Sequence, residues 1–514
     1  MKYMTLQSKT IYKFLPYVLF IFVHILLLNV NTAEWGDSYR ILRGSEFIRK
    51  GSYPEDEKRP PLYSFALAVR PTAADPVVWA RGFMFVVGLA GFFLFEKFLR
   101  QFIKDPRFVF VGMLLLLLNP DFLYWSIRVM ADVPFALLAL LAIYLYKKWK
   151  DSWNFKRLFI LGIVAGLSIL TRFEGYMLAA SLLLSLFIDH GKKLELKKIR
   201  VYFYYGTGIL LVVLPWFLYR NPFVSKYLEE PAGRSYDLKM IWTYFASLFS
   251  IYGFVPAFVL FIARKKEMLV FFKNNPHISI FLFWELLLIL LWPAAIPRLF
   301  VAIIPLLILL LTLSLEKWWE AGKENKKLFV FAGVLLLFYA GSQLILKLQF
   351  LILDKPLFAA LFAMQALAVF FIIKKKFLPT VVSLVVITSL WSWSVISLHK
   401  DIFISVKNAA EYVARNLEGK VAYNDVSSVS DFYLNVLDTP KVSGFYYNTE
   451  SKKNLTYEAL RQTGADYFLI TNEHNTTMEL DLGSRTYLRP VKDFSYNVNG
   501  AEFFAKIVRF ERKD

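Results

Sequence analysis

Apolar residues in this chain come in long blocks separated by short polar connections. The longer blocks run about 18 to 22 residues, the length a helix needs to cross roughly 30 Å of hydrocarbon, and the one at 108–119 is short. Blocks lie near residues 11–31, 76–95, 108–119, 132–146, 156–171, 175–188, 201–219, 241–263, 278–292, 298–315, 328–346, 356–373 and 377–397. The pattern predicts a polytopic α-helical membrane protein with about thirteen transmembrane helices. Lys2, Lys9 and Lys13 precede the first block, but its apolar run exceeds a signal-peptide core and Asn31-Thr32-Ala33 is a weak cleavage site. It is read as a span.

After about residue 400 the pattern changes. Ile402, Val406, Ala409, Ala410 and Val413 recur at helical spacing. Residues 420–424 then read as a strand, 457–461 as a helix ended by Gly464, 465–470 as a buried strand, and 485–492 with 502–511 as a terminal hairpin. This predicts a small α/β domain of about 115 residues, large enough for one core. The chain is therefore divided into a membrane domain, 1–398, and a C-terminal domain, 399–514.

Charge orients the arrangement. The net charge of +20 would suit a nucleic-acid binder, but Lys and Arg collect in every second connection: around 97–107, 147–157, 192–200, 264–273, 317–327 and 374–376. By the positive-inside rule those connections and the N-terminus are cytoplasmic. The excess also draws the protein to anionic membrane lipids, and no nucleic-acid partner is expected. An odd number of spans puts the C-terminal domain on the extracytoplasmic face, here of a plasma membrane. The sequons Asn454-Leu455-Thr456 and Asn475-Thr476-Thr477 fall in that domain. The chain has no cysteine, which excludes disulfides and thiolate metal sites.

The complementary connections face out, and they hold the unusual charges. The first, 32–75, is long and balanced in charge, with 37–50 patterned as an amphipathic helix for the interface. It contains Asp37, then Lys58-Arg59-Pro60-Pro61-Leu62-Tyr63. Asp121, Arg128 and Asp132 belong to the next, Arg172 and Glu174 to a tight turn, and Arg298 begins a later span. Singly, each reads equally well as an interfacial anchor or snorkelling side chain, and Asp121, Arg128 and Glu174 read better that way. Asp37, Arg59, Asp132, Arg172 and Arg298 on one side are a stronger signal. A mid-membrane Asp costs roughly 2.5–3.5 kcal/mol on insertion scales and much less at the interface, so a cavity opening outward can hold them. Guanidinium groups grip phosphate bidentately, and a neighbouring Asp can take a proton from an attacking hydroxyl. A phosphate on an anomeric carbon leaves as a stable anion, so one base with cationic stabilisation suffices for an inverting displacement.

These residues, in this order and on this side, resemble the GT-C membrane glycosyltransferases. Within them the layout is similar to the branch of protein mannosyltransferases and lipid A aminoarabinose transferases. The matching pieces are Asp37 after the first span, residues 58–63, Ala131-Asp132-Val133-Pro134, Gly166 to Arg172, and Pro297-Arg298, over roughly residues 10–310. The resemblance implies transfer of a sugar from a polyprenyl- or dolichyl-phosphate donor to a protein, lipid or glycan acceptor. Asp37 would be the catalytic base; Arg59, Arg298 and Arg172 would bind the donor phosphate; Asp132, Tyr63 and Glu174 would contact acceptor or sugar. Protein mannosyltransferases carry Asp-Glu where this chain reads Asp37-Ser38, so a protein acceptor is not singled out. No cofactor is firmly implied; a divalent cation held by Asp37 and Asp132 stays open. The competing class is a transporter or flippase of lipid-linked sugars, which would place its polar residues or helix breaks near span centres.

Overall fold

The computed structural model describes residues 6–190, 196–220, 255–292, 297–321, 327–346, 355–437, 441–449, 452–472, 486–498 and 501–512. The first part of the 241–263 block and the Asn475 sequon lie outside the described residues.

Local chemistry starts the helices where the apolar blocks begin. Asp75, Asp105 and Asn119 each precede a proline and accept a hydrogen bond from a backbone amide two or three residues on. Such a cap satisfies an otherwise orphaned amide, and the proline at the first helical position has none to satisfy. Helices run over Leu6–Leu27, Pro76–Leu99, Pro106–Leu117, Pro120–Ser126, Asp132–Trp149, Phe155–Ile169, Gly175–His190, Leu196–Tyr219 and Val255–Ala263. They continue over Lys265–Asn274, Pro276–Leu291, Ile304–Glu320, Lys327–Leu346, Lys355–Ile373 and Phe377–His399.

Four stretches are long and apolar enough to cross a membrane: Pro76–Leu99, Ile199–Tyr219, Pro356–Ile373 and Phe377–Asn416. Two bent pairs raise the number to 6. This is a multi-pass membrane protein, and the described residues do not reach the expected thirteen crossings. The bends are findings that hydropathy did not predict. Pro106–Leu117 meets Pro120–Ser126 at 60°, and the basic stretch expected as a connection, Lys265–Asn274, is a helix at 104° to Pro276–Leu291. A proline opens the second helix of each pair, where it cannot continue the preceding hydrogen-bond ladder.

Small residues let the spans approach closely. A Cβ on Gly162 would lie 2.1 Å from the Tyr205 carbonyl oxygen, and one on Gly208 2.3 Å from that of Phe159. Helices Phe155–Ile169 and Leu196–Tyr219 thus touch backbone to backbone, the contact that small residues permit in membranes.

In the C-terminal unit, helix Ile404–Asn416 buries Val406, Ala409, Ala410 and Val413. The sheet contains β1 (Gly419–Tyr423), β2 (Val442–Tyr446), β3 (Tyr467–Thr471), β4 (Leu488–Asp493) and β7 (Ala505–Phe510), in the order β2-β1-β3-β7-β4. β1 is parallel to β2 and β3, whereas β7 is antiparallel to β3 and β4. Strands β5 (Tyr496–Val498) and β6 (Ala501–Phe503) form a separate pair inside the expected terminal hairpin. Alternation divides the sheet's faces. Phe468, Ile470 and Val508 enter one small core, while Leu469 and Ile507 join the core continuous with the membrane helices.

The first connection folds as helices Gly36–Arg49 and Leu62–Ala68. Its amphipathic helix does not lie free at the interface. Tyr39 is fully buried, with its ring 5.6 Å from Phe432 and 5.8 Å from Tyr433, so the C-terminal unit covers it.

Candidate active site

Asp37 lies in the first turn of its helix, where the helix dipole favours a carboxylate. Extended backbone at Trp35 turns the chain into that helix, and the Ser38 amide closes the turn on the Trp35 carbonyl at 2.8 Å. Trp35 is wedged edge-to-face against Trp125 and Phe403. Upstream, Glu34 is fully buried and accepts from Arg81 at 2.7 Å and from the Val129 amide at 3.2 Å. These contacts join the start of the helix to the second connection.

Two guanidinium groups converge on Asp37. Arg59 donates to Oδ1 at 2.5 Å and Arg298 to Oδ2 at 2.8 Å, with the Asp37 side chain still 26% exposed. Arg59 is aimed by Glu57, which accepts from both its amide (2.9 Å) and its side chain (3.0 Å). Arg298 sits on the 3₁₀ helix Pro297–Ala302, packed against Pro120–Ser126 and Asp132–Trp149, with its guanidinium 5.8 Å from the centre of the Trp125 ring. Burial alone would raise the Asp37 pKa, but the charges of Arg59 and Arg298 outweigh it and hold the carboxyl well below the usual range. Asp37 is ionised at neutral pH and weakly basic while both cations grip it.

A second cluster adjoins the first. Asp132 opens the helix Asp132–Trp149 and is buried; Arg172 donates to its Oδ1 at 2.6 Å. The same guanidinium binds Glu174, Nε to Oε1 at 3.0 Å. Burial pushes the Glu174 carboxyl up, but Arg172 and then Arg298 bring it below its ordinary value. The field of Arg298 therefore reaches both clusters. The Leu62 amide donates to the Leu170 carbonyl at 2.8 Å, fastening the Pro60-Pro61 segment to the turn that carries Arg172.

Several buried polar atoms here have no hydrogen-bond partner among the described residues: Asp132 Oδ2, the Tyr63 hydroxyl, Arg298 Nε and Asp121 Oδ2. Buried polar groups are rarely left unpaired, and an active site is a common place for the exceptions. Asp132 is close enough to act electrostatically on both Tyr63 and Asp121.

Of the residues expected from sequence, Asp37, Arg59 and Arg298 share one cluster and Asp132, Arg172 and Glu174 the other. Tyr63 lies within electrostatic reach of Asp132. Arg172 is shared between Asp132 and Glu174, as Arg59 is between Asp37 and Glu57. Arg128 is structural: nearly fully buried, it donates to the carbonyls of Ala33 (3.1 Å) and His399 (2.9 Å) and stacks on Tyr124. Two residues were missed. Glu57 is inconspicuous within a charge-balanced loop. Glu285, a lone carboxyl in an apolar span, is fully buried, has no partner for either oxygen among the described residues, and lies within electrostatic reach of Glu174 and Arg172. An ionisable residue inside a span is the signal that could have found it. No three His, Asp or Glu side chains gather as a metal cradle among the described residues, and both Asp37 oxygens face guanidiniums.

A family model described as dolichyl-phosphate-mannose-protein mannosyltransferase matches residues 58–219. No curated protein matches the chain. Among solved structures, ArnT from Cupriavidus metallidurans bound to undecaprenyl phosphate superposes with a TM-score of 0.62 at 12% identity, covering 96% of this chain and 97% of that one. The archaeal oligosaccharyltransferase AglB from Archaeoglobus fulgidus, in complex with an inhibitory peptide and a dolichol-phosphate, gives 0.52 at 11% identity, over 96% of this chain and 74% of that one. At such identities the likeness establishes the fold alone, one this chain shares with the ArnT and AglB structures.

Proposed function

We propose that this protein is an inverting glycosyltransferase that moves a sugar from a polyprenyl- or dolichyl-phosphate donor to an acceptor hydroxyl on the extracytoplasmic face. The observation that carries the reading is Asp37 held between Arg59 at 2.5 Å and Arg298 at 2.8 Å. Two preorganised cations flanking one carboxylate suit both halves of the reaction: a phosphate to bind and a proton to remove.

In this mechanism the donor phosphate takes Arg59 and Arg298 from Asp37. Losing their charges, the Asp37 carboxylate becomes more basic when the substrate is in place. The acceptor oxygen attacks the anomeric carbon, the bond from that carbon to the phosphate oxygen breaks, and the acceptor proton passes to Asp37. The lipid phosphate departs as an anion held by the two arginines. Asp132 and Tyr63, each with an unpaired buried oxygen, contact the sugar or acceptor. Arg172 and Glu174 orient Asp132, an assignment that moves Arg172 away from the phosphate.

The topology belongs to the same proposal: thirteen spans over 1–398 with the N-terminus cytoplasmic, residues 399–514 outside, and the plasma membrane as location. The family match over residues 58–219 and the lipid phosphates named for ArnT and AglB support a lipid-phosphate donor. The protein mannosyltransferase and aminoarabinose transferase branch belongs to the same proposal, with a protein, lipid or glycan as acceptor. The test is to incubate membranes containing the protein with radiolabelled polyprenyl-phosphate sugars. Donor consumption with label appearing in protein, lipid or glycan supports the reading; transport of intact lipid-linked sugar without cleavage contradicts it.

A further inference from the structure

The helix that carries Asp37 has a second face, turned toward the C-terminal unit. At Gly36, the residue before Asp37, an added Cβ would lie 2.6 Å from the Ser427 Cβ and 3.0 Å from its Cα. Nothing larger than glycine fits there without displacing one side. One turn on, Arg40 donates to the Val426 carbonyl at 2.9 Å. A further turn on, Arg43 pairs with Asp431 at 2.9 Å and bonds both oxygens of Asp56, at 2.7 and 2.8 Å. Positions 36, 40 and 43 form one stripe of an α-helix, so every turn of the first half of this helix is fastened to residues 426–431.

Those residues are themselves held rigidly. Asp425 is buried and accepts from the Ser427 hydroxyl and the Ser430 amide, both at 3.1 Å. Ser428 adopts φ +62°, a left-handed conformation that non-glycine residues keep only when their surroundings enforce it. Asp431 also accepts from Asn435 at 2.8 Å. On the other side, Asp56 immediately precedes Glu57, which aims Arg59 at Asp37. The loop therefore bears on the base through Gly36 and on its cation through Arg43 and Asp56.

We propose that the 425–431 loop of the C-terminal unit is a positioning element for the transfer reaction, seating Ser427 on Gly36 and Asp431 on Arg43 so that Asp37 and Arg59 meet in reactive register. This rests on the reading of Asp37 as the base. It gives the C-terminal unit a part in the chemical step beyond covering the site or gripping acceptor.

The test uses the full chain in nanodiscs with whichever radiolabelled polyprenyl-phosphate sugar the wild type consumes. Misplacement by about 1 Å costs up to about a hundredfold in rate, so Gly36→Ala is expected to lower kcat by about that factor while KM for the donor stays within about twofold. Removing the opposing Cβ with Ser427→Gly in the same chain should restore most of the loss. Hydrogen exchange of the 36–42 amides should accelerate in Gly36→Ala and return toward wild type in the double variant. If Gly36→Ala does not fold, Asp431→Asn serves instead, with an expected loss of about tenfold in kcat that Asp431→Glu recovers. Wild-type kcat in Gly36→Ala or Asp431→Asn, or a loss that the paired change does not restore, overturns the proposal while an inactive Asp37→Asn leaves the reading of the base intact. Full transfer by Asp37→Asn overturns that reading and this proposal together.

Discussion

At Asp37 the electrostatics fix a sign that can be measured. Its folded pKa is depressed by Arg59 and Arg298 despite burial, so the carboxylate's contribution is complete above the ordinary carboxylate range and is lost as pH falls through the depressed value. In the free protein kcat/KM should therefore stay level from neutrality down to about pH 5, the upper edge of ordinary carboxylate titration. In the proposed mechanism donor binding draws the arginines away, so the acid limb of kcat should lie at higher pH than that of kcat/KM; coincident limbs would argue against the exchange. Arg298→Ala should weaken binding of a polyprenyl phosphate by about tenfold or more, the cost of one charge-assisted contact, and calorimetry on the variant checks it. Arg128 has a different part. Removing it leaves the carbonyls of Ala33 and His399 without their donor, and Arg128→Ala should cost about 2–4 kcal/mol of stability, visible as a lower unfolding temperature in detergent.

At the scale of elements, close helix contact gives the next expectation. Gly208→Leu places a side chain where even a Cβ meets the Phe159 carbonyl at 2.3 Å, so helix Leu196–Tyr219 must move away. Overpacking of this kind costs about 1–3 kcal/mol, and the variant should unfold at lower temperature than Gly82→Leu, whose Cβ meets nothing within 4 Å. The apolar blocks located the helices well because a bilayer demands unbroken apolar length, and that demand is written locally. The bends at 117–120 and 274–276 were less legible, since hydropathy is unchanged through them and only Pro120 and Pro276 mark the break. In the C-terminal unit β1, β3 and the β4–β7 pairing were readable as alternation and turn signals. β2 was not, because Ser443 and Gly444 interrupt its apolar run and only Val442 in it is buried. The candidate site shows the same division. Asp37, Arg59 and Arg298 were found by sidedness, while Glu57 and the Gly36–Ser427 contact depend on a docking that no local pattern encodes.

Across the whole molecule, the C-terminal unit packs on the first connection through Tyr39, Arg40 and Arg43, and the proposed topology puts both outside. The cysteine-free chain makes this simple to test. A cysteine at the exposed Glu458 should react with an impermeant maleimide in intact cells, and one at the exposed Lys376 should react only after permeabilisation; the opposite labelling would invert the topology. The central claim is that Asp37, set between two arginines, is the base of a sugar transfer from a lipid phosphate. Its most direct test compares wild type and Asp37→Asn, matched for expression and folding, for consumption of a radiolabelled polyprenyl-phosphate sugar. The account predicts bound donor and no transfer in the variant; transfer at the wild-type rate would contradict it.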